Sequence, residues 1–182
     1  MITKWLMLAL VMALPNLGIT EKTIEISKSE HQLKIVEDGK VLHSYSCAIG
    51  KGSGGKKEKI GDNLTPEGEY RIVAVRKPSG FHLFLHLSYP NISDIENAHI
   101  KQMLSDSLYQ AMKADIAAGK LPSQTTVLGG NVGTHGIKNG LGWLGGLQSK
   151  VDWTQGCISV TNKEIEEISR EIRIGTRVSI KP

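Results

Sequence analysis

One cysteine and one histidine stand in glycine-rich surroundings that suit chemistry. Cys157 follows Gly156 in DWTQGCISVTN (152–162), and His135 precedes Gly136 in GGNVGTHG (129–136). A thiol attacks well when a base or a cation helps to remove its proton, and an imidazole is the most frequent such base. Because Gly156 has no side chain to keep a substrate away, the amides of Gly156 and Cys157 could donate to a developing oxyanion. These residues predict nucleophilic catalysis at Cys157 with His135 as its base. Histidine beside cysteine also favours a thiolate–imidazolium pair, so we expect Cys157 to be held as a thiolate.

Three other interpretations of Cys157 remain open from the residues alone. Free cysteine packs as a small hydrophobe, although a loop that enters a strand is more often exposed. A disulfide with Cys47, the one other cysteine, would suit an exported protein, but Cys47 lies in a strand-like run and we expect it to be unpaired. A metal could use Cys157 and nearby histidines, but no carboxylate or second cysteine completes a recognisable zinc set. We therefore expect neither a metal nor another cofactor.

The elements that must position these residues are mostly strands. Apolar residues alternate with polar ones in 23–36, and the Asp38-Gly39 pair favours a two-residue hairpin loop. Strand character resumes after Pro66, and the segment RVSIKP (177–182) reads as a final strand. In FHLFLHLS (81–88) the alternation predicts a core face and a second face that carries His82 and His86 toward solvent or a cleft.

Two helices are predicted among these strands. Ser93 with Glu96 has the spacing of a capping box, and apolar residues then recur every four positions until Gly119. Thr161 with Glu164 has the same spacing, and that second helix is expected to stop at Gly175. The residues thus predict a mainly β domain with two accessory helices.

The 182-residue chain fits a leader followed by one domain. Lys4 precedes ten uncharged apolar residues, which is typical of a signal peptide and too short for a bilayer span of about 20 residues. We predict that residues 1–20 are a signal peptide or N-terminal anchor and that 21–182 are the domain. The formal charge of +4, or +3 without Lys4 (4 − 1), suits an acidic polymer such as cell wall and suits simple solubility equally well. No basic stripe with interleaved aromatics suggests nucleic acid, and we expect a monomer without a stable membrane span.

Several motifs together resemble the L,D-transpeptidase (YkuD-type) family. They are THG (134–136), GCISVTN (156–162) and TPEGEYRI (65–72), and the resemblance extends over about residues 23–180. It implies a β-sandwich or flattened barrel with two accessory helices. It also implies that Cys157 attacks the peptidoglycan stem-peptide bond before the terminal D-alanine, while the Gly136 carbonyl orients His135. An amine of a second stem, or of a protein lysine, then takes the acyl group.

The resemblance also implies substrate contacts and leaves alternatives. Gln155 stands where the family usually has histidine and Ser159 where arginine is common, so substrate choice can differ here. The other candidate substrate-binding residues are Asn162, His82, His86 and Trp143. With water as the acceptor the enzyme would be an L,D-carboxypeptidase or endopeptidase, and with a dead site it would be a wall-binding module. All three functions place the protein outside the cytoplasm, in the periplasm or cell envelope.

Overall fold

A computed structural model describes residues 21–52, 54–77, 80–138 and 151–182. Within these ranges the chain forms eight strands and three helices. The strands are β1 (Lys22–Ser27), β2 (Gln32–Glu37), β3 (Lys40–Ser46), β4 (Gly68–Arg76), β5 (Phe84–Leu87), β6 (Gly133–His135), β7 (Ile158–Ser159) and β8 (Arg177–Lys181). The helices are α1 (Ile92–Ile100), α2 (Asp106–Ala117) and α3 (Asn162–Glu171).

The strands form one sheet in the order β3-β2-β1-β8-β4-β5-β6-β7, which curls into a half-barrel. The pairs β1–β8 and β6–β7 are parallel, and the other pairs are antiparallel. The predicted mainly β class is confirmed. In the β6–β7 pair, His135 lies opposite Ser159, which brings the loops around His135 and Cys157 to one end of the sheet.

The local turn signals of the sequence behave as their chemistry predicts. Asp38 and Gly39 have φ of 49° and 74°, and Glu37 pairs with Lys40 across them. A two-residue loop with both central residues at positive φ matches the right-handed twist of the flanking strands. The predicted hairpin is therefore confirmed.

The first predicted helix is two helices. Its cap lies two residues earlier than predicted, because the Asn91 side chain accepts from the Asp94 amide and Asp94 reciprocates. The chain then leaves the helix at Lys101, Gln102 takes a φ of 57°, and Ser105 caps α2. Four-residue apolar spacing persists across this break because both helices pack on one small core.

The helix α3 begins as the sequence predicts. Thr161 and Glu164 form the reciprocal capping box, and Ile165 and Ile168 are buried. The helix ends at Glu171, before Gly175, because Ile172 is already extended. Its buried isoleucines belong to the main core, and α3 also contacts β6.

Residues 1–20, where a leader is predicted, lie outside the described residues. Among the helices that the structure describes, none has the length and apolar character needed to cross a membrane.

Candidate active site

Cys157 and His135 line the same cleft, which has a volume of about 720 Å³. Its walls come from the loop before β4, the start of β5, the segment around β6 and the loop before β7. Cavities of this size hold small molecules or short peptide segments. The sheet thus brings together two residues that are separated by more than twenty positions in sequence.

His135 is buried, with 1% of its surface exposed, and lies among aromatic rings. Its ring stacks on Phe81 at a centroid distance of 4.0 Å and on Phe84 at 5.9 Å. The indole of Trp153 meets it edge-on at 5.7 Å. This aromatic cage, formed by Phe81, Phe84 and Trp153, fixes the plane of the imidazole.

The tautomer of His135 follows from one hydrogen bond. Nδ1 lies 2.7 Å from the Gly136 carbonyl oxygen, which can only accept, so Nδ1 carries the proton. In the neutral ring Nε2 is then a proton acceptor. The carbonyl contact that the resemblance implied is present.

Asn162 holds the peptide unit that orients His135. Asn162 Oδ1 accepts from the Ile137 amide at 2.8 Å, and this N–H belongs to the same peptide unit as the Gly136 carbonyl. One edge of that peptide therefore bonds the imidazole while the other edge is held by α3. A Cβ at Gly136 would lie 2.6 Å from Asn162 Oδ1, so only glycine allows this close approach.

Burial controls the charge of His135. Removal from water lowers its pKa to about 4, against the bond to the Gly136 carbonyl, which raises it. The imidazole is neutral at neutral pH and ready to accept a proton.

Cys157 sits on a turn that needs glycine before it. Gly156 has a φ of +126°, a conformation that residues with a side chain rarely adopt. A Cβ there would lie 2.7 Å from the Leu64 carbonyl oxygen. Cys157 itself is half-buried, and its Sγ lies 3.8 Å from the carbonyl oxygen of Asn131.

Thr154 closes the turn that presents Cys157. Its hydroxyl donates to the Cys157 carbonyl at 2.7 Å and accepts from the Gly156 amide at 3.1 Å. The Gly156 amide therefore has a partner inside the turn. Of the two amides predicted as oxyanion donors, the Cys157 amide is the better candidate.

The structure corrects the expectation that Cys157 is held as a thiolate. Burial raises the pKa of Cys157 to about 11, while the Gly133 backbone and the Lys57 charge lower it. Because the open side of Cys157 faces the cleft, contact with solvent opposes the full rise, but the pKa stays above the usual 8.5 or so. Neutral thiol beside neutral imidazole is the form that these environments favour.

Asp152 anchors the loop that carries the site. Its carboxylate accepts from the Ile49 amide at 2.9 Å, and both its oxygens lie 3.1 Å from Nε2 of His31. Thr154, two residues later, bonds back to Ile49 and Lys51 through its backbone. The acidic residue of DWT thus has a positioning role that the sequence did not reveal.

The residues predicted to bind substrate are scattered. Gln155 is exposed and lines the cleft. Ser159 is fully buried in β7, and Asn162 lies behind the cleft, so we propose no substrate contact for them. Trp143 lies outside the described residues.

The two histidines of the β5 region have different surroundings. His82 is exposed and pairs with Glu166 of α3. His86 is buried to 1% exposure, and burial lowers its pKa. The prediction that these imidazoles face solvent or a cleft on one shared face is wrong for His86, because both faces of β5 are covered. Neither residue lines the cleft.

Sequence reasoning missed four residues around the reacting pair. Phe81 was assigned to the core face, yet it stacks on His135. The sequence indicates no role beside the base for Trp153 and Phe84, and Lys57 lies in a glycine- and lysine-rich segment (51–63) that is typical of a loop. The DWT motif and the FHLF alternation offered partial signals for the aromatics, whereas Lys57 gave none.

Cys47 is remote from this chemistry. It is fully buried in the main core, and burial raises its pKa to about 12. Both cysteines are free thiols. In the part of the chain that the structure describes, no three His, Cys, Asp or Glu side chains are grouped to hold a metal ion.

Comparison with known families shows which family this chain belongs to. The family model of the L,D-transpeptidase catalytic domain matches residues 21–180. The chain belongs to this family. No curated protein matches it.

Solved structures show the same fold. An L,D-transpeptidase from Xylanimonas cellulosilytica is 17% identical over 89% of this chain and 61% of its own, with a TM-score of 0.52. The helical cell shape determining protein Pgp2 from Campylobacter jejuni is 20% identical over 89% of this chain and 48% of its own, with a TM-score of 0.57. An L,D-transpeptidase from Mycobacterium smegmatis is 13% identical over 90% and 59%, with a TM-score of 0.53. This chain therefore spans about half to three-fifths of those chains.

Proposed function

We propose that this protein is a peptidoglycan-modifying cysteine acyltransferase. Cys157 attacks the amide bond between the third residue and the terminal D-alanine of a stem peptide. The observation that carries the proposal is that His135 and Cys157 line one cleft while the Gly136 carbonyl fixes the tautomer of His135. Membership of the transpeptidase family supports the choice of substrate.

Acylation follows from the protonation states of the pair. As Sγ bonds to the amide carbon, its proton passes to Nε2 of His135, and the carbonyl oxygen becomes an oxyanion that the Cys157 amide receives. The imidazolium then gives this proton to the D-alanine nitrogen as the carbon–nitrogen bond breaks. D-alanine leaves as an amine and a thioester remains on Cys157.

Transfer reverses these steps with a new nucleophile. An amine from a second stem peptide, or from a protein lysine, loses a proton to His135 and attacks the thioester carbon. The carbon–sulfur bond breaks, and Sγ regains its proton from the imidazolium. The product is an L,D cross-link or an attached protein, formed outside the cytoplasm after export directed by residues 1–20.

The decisive experiment is product analysis by mass spectrometry after incubation with a disaccharide–tetrapeptide. A dimer that has lost one D-alanine identifies the transpeptidase. A tripeptide without dimer identifies water as the acceptor and an L,D-carboxypeptidase. Intact substrate that binds but is never cleaved, alike in the native protein and in Cys157→Ala, would show a binding module and overturn the proposal.

A further inference from the structure

Lys57 is a buried lysine directly beneath the reactive turn. Only 6% of its surface is exposed to solvent, and it lines the same cleft as Cys157 and His135. A Cβ at Gly156 would lie 3.8 Å from Cδ of Lys57, so the lysine stem passes under the residue that precedes the nucleophile. Burying an ammonium is costly, and a residue in this position needs a physical reason.

The contacts of Lys57 within its own loop do not by themselves explain its burial beside the cleft. Lys57 Nζ donates to Asp62 Oδ1 at 2.8 Å and to the Lys59 carbonyl at 2.9 Å. Asp62, however, also accepts from the backbone amides of Glu58, Lys59 and Leu64, at 2.8 to 3.0 Å. Burial raises the pKa of Asp62, and the Lys57 bond together with the three amides lowers it overall, so the ion pair is part of the loop. The ion pair does not explain why the lysine stem runs under the turn that carries Cys157.

A second buried lysine shows what a purely structural one looks like. Lys28 Nζ has three acceptors: the Gly55 carbonyl, the Thr65 carbonyl and the Glu67 carboxylate. These match the three protons of an ammonium, and Lys28 does not line the cleft. Within the described residues Lys57 has two acceptors, one fewer than Lys28.

Charges around the cleft have one sign. The charged or titratable residues of its described lining are Lys57, Arg76, His135, Lys138 and Cys157. No carboxylate belongs to that lining, and Asp62 directs its oxygens to loop amides, which spread its negative charge. Burial raises the pKa of Cys157, and the Lys57 charge acts in the opposite direction, in favour of the thiolate.

We propose that Lys57 is a built-in cation of the active site that stabilises negative charge as it develops at Sγ of Cys157. Lys57 does not touch the substrate in this proposal, and its charge acts on the Cys157 sulfur. The proposal deepens the cysteine acyltransferase function proposed above and rests on it for its biological meaning. Burial disfavours a charged thiolate, and a fixed cation under the turn offsets part of that cost at the moment of attack.

The test compares Lys57→Met with Lys57→Arg and Lys59→Met. Lys59 is exposed, belongs to the same loop and lies outside the cleft, so Lys59→Met is a control with the same loss of charge. The readout is the second-order rate of Cys157 alkylation by iodoacetamide, a neutral reagent, measured by peptide mass spectrometry across pH. This assay needs no peptidoglycan, so it stands even if the proposed transpeptidase activity fails.

Loss of the cation is expected to raise the thiol pKa by about one unit, the lower end for a neighbouring charge. The thiolate fraction falls about tenfold, the remaining thiolate is about threefold more nucleophilic, and the net rate falls about threefold. We expect this loss at every pH tested in Lys57→Met, recovery of the native rate in Lys57→Arg, and no change in Lys59→Met.

Two results would overturn the proposal. One is a folded Lys57→Met protein that alkylates at the native rate. The other is Lys57→Arg being as slow as Lys57→Met, which would assign the effect to shape. If Lys57→Met does not fold, Lys57→Gln takes its place, because an amide can still donate to Asp62 or to the Lys59 carbonyl without a charge, and the same two results decide.

Discussion

The pH dependence of Cys157 reactivity tests whether the proton shared by Cys157 and His135 lies on the thiol or on the imidazole. Burial lowers the pKa of His135 to about 4 and raises that of Cys157 to about 11. At pH 7 only about one imidazole in a thousand is then protonated, and the thiol keeps its proton. A small alkylating reagent reacts with the thiolate alone, so its rate should rise about tenfold per pH unit from about pH 6 to about pH 9.

His135→Gln separates the two jobs of the imidazole. Glutamine cannot accept the thiol proton, so acylation by the stem peptide should fall by about 10² to 10⁴. Alkylation should keep its slope and its rate within about threefold, because the native imidazole is neutral and contributes no charge to the thiolate. His82→Gln is the matched control: it removes an exposed imidazole outside the cleft and should change neither rate.

The assay is alkylation of Cys157 followed by peptide mass spectrometry, alongside release of D-alanine from a tetrapeptide stem. A flat alkylation rate from about pH 5 to about pH 8, lost in His135→Gln, would refute the reasoning. That result would show an imidazolium–thiolate pair in the free enzyme. The attraction between the imidazolium and the thiolate would then outweigh the cost of burying each charge.

Three further substitutions test the frame around the pair. Cys157→Ala should abolish D-alanine release yet leave the melting temperature nearly unchanged, since it shortens one half-buried side chain. Gly156→Ala should cost about 1–3 kcal/mol in backbone strain and further energy for the contact with Leu64, which should lower the melting temperature and abolish activity. The control is Gly175→Ala, which is also at positive φ but in open space and should cost only the strain. Asn162→Ala should slow acylation and cost about 1–3 kcal/mol by leaving the Ile137 amide unpaired, whereas Asn162→Asp, which keeps the acceptor, should restore the acylation rate. Equal rates in the alanine and aspartate variants would contradict a positioning role for Asn162.

Local chemistry made parts of this structure predictable. The Asp38-Gly39 turn and the Thr161–Glu164 box are decided by residues within four positions of each other, and both are present. A local rule failed where two overlapping caps were available. Ser93 has the right spacing to Glu96, but Asn91 with Asp94 wins, and Tyr70 also donates to Asp94 at 2.9 Å.

Burial by distant segments was beyond the sequence. Period-two alternation assigned His86 to an outer face, but it could not show that the curled sheet covers that face as well. Lys57 stands in a run of lysines that is typical of a solvated loop. Its burial arises because Asp62 turns the loop back on itself and the reactive turn packs on top. Both failures concern contacts between segments far apart in the chain.

Burial sets the protonation states of both His135 and Cys157, and a nearby charge acts on Cys157. The aromatic cage keeps His135 neutral, so it can accept a proton, whereas a protonated imidazole could not. Burial also keeps Cys157 protonated, and a protonated thiol resists oxidation and disulfide exchange. In the proposed attack, negative charge develops at Sγ as the thiol proton leaves, and Lys57 lines the cleft under the turn that carries Cys157. We propose that this arrangement protects the Cys157 thiol between turnovers and activates it during them.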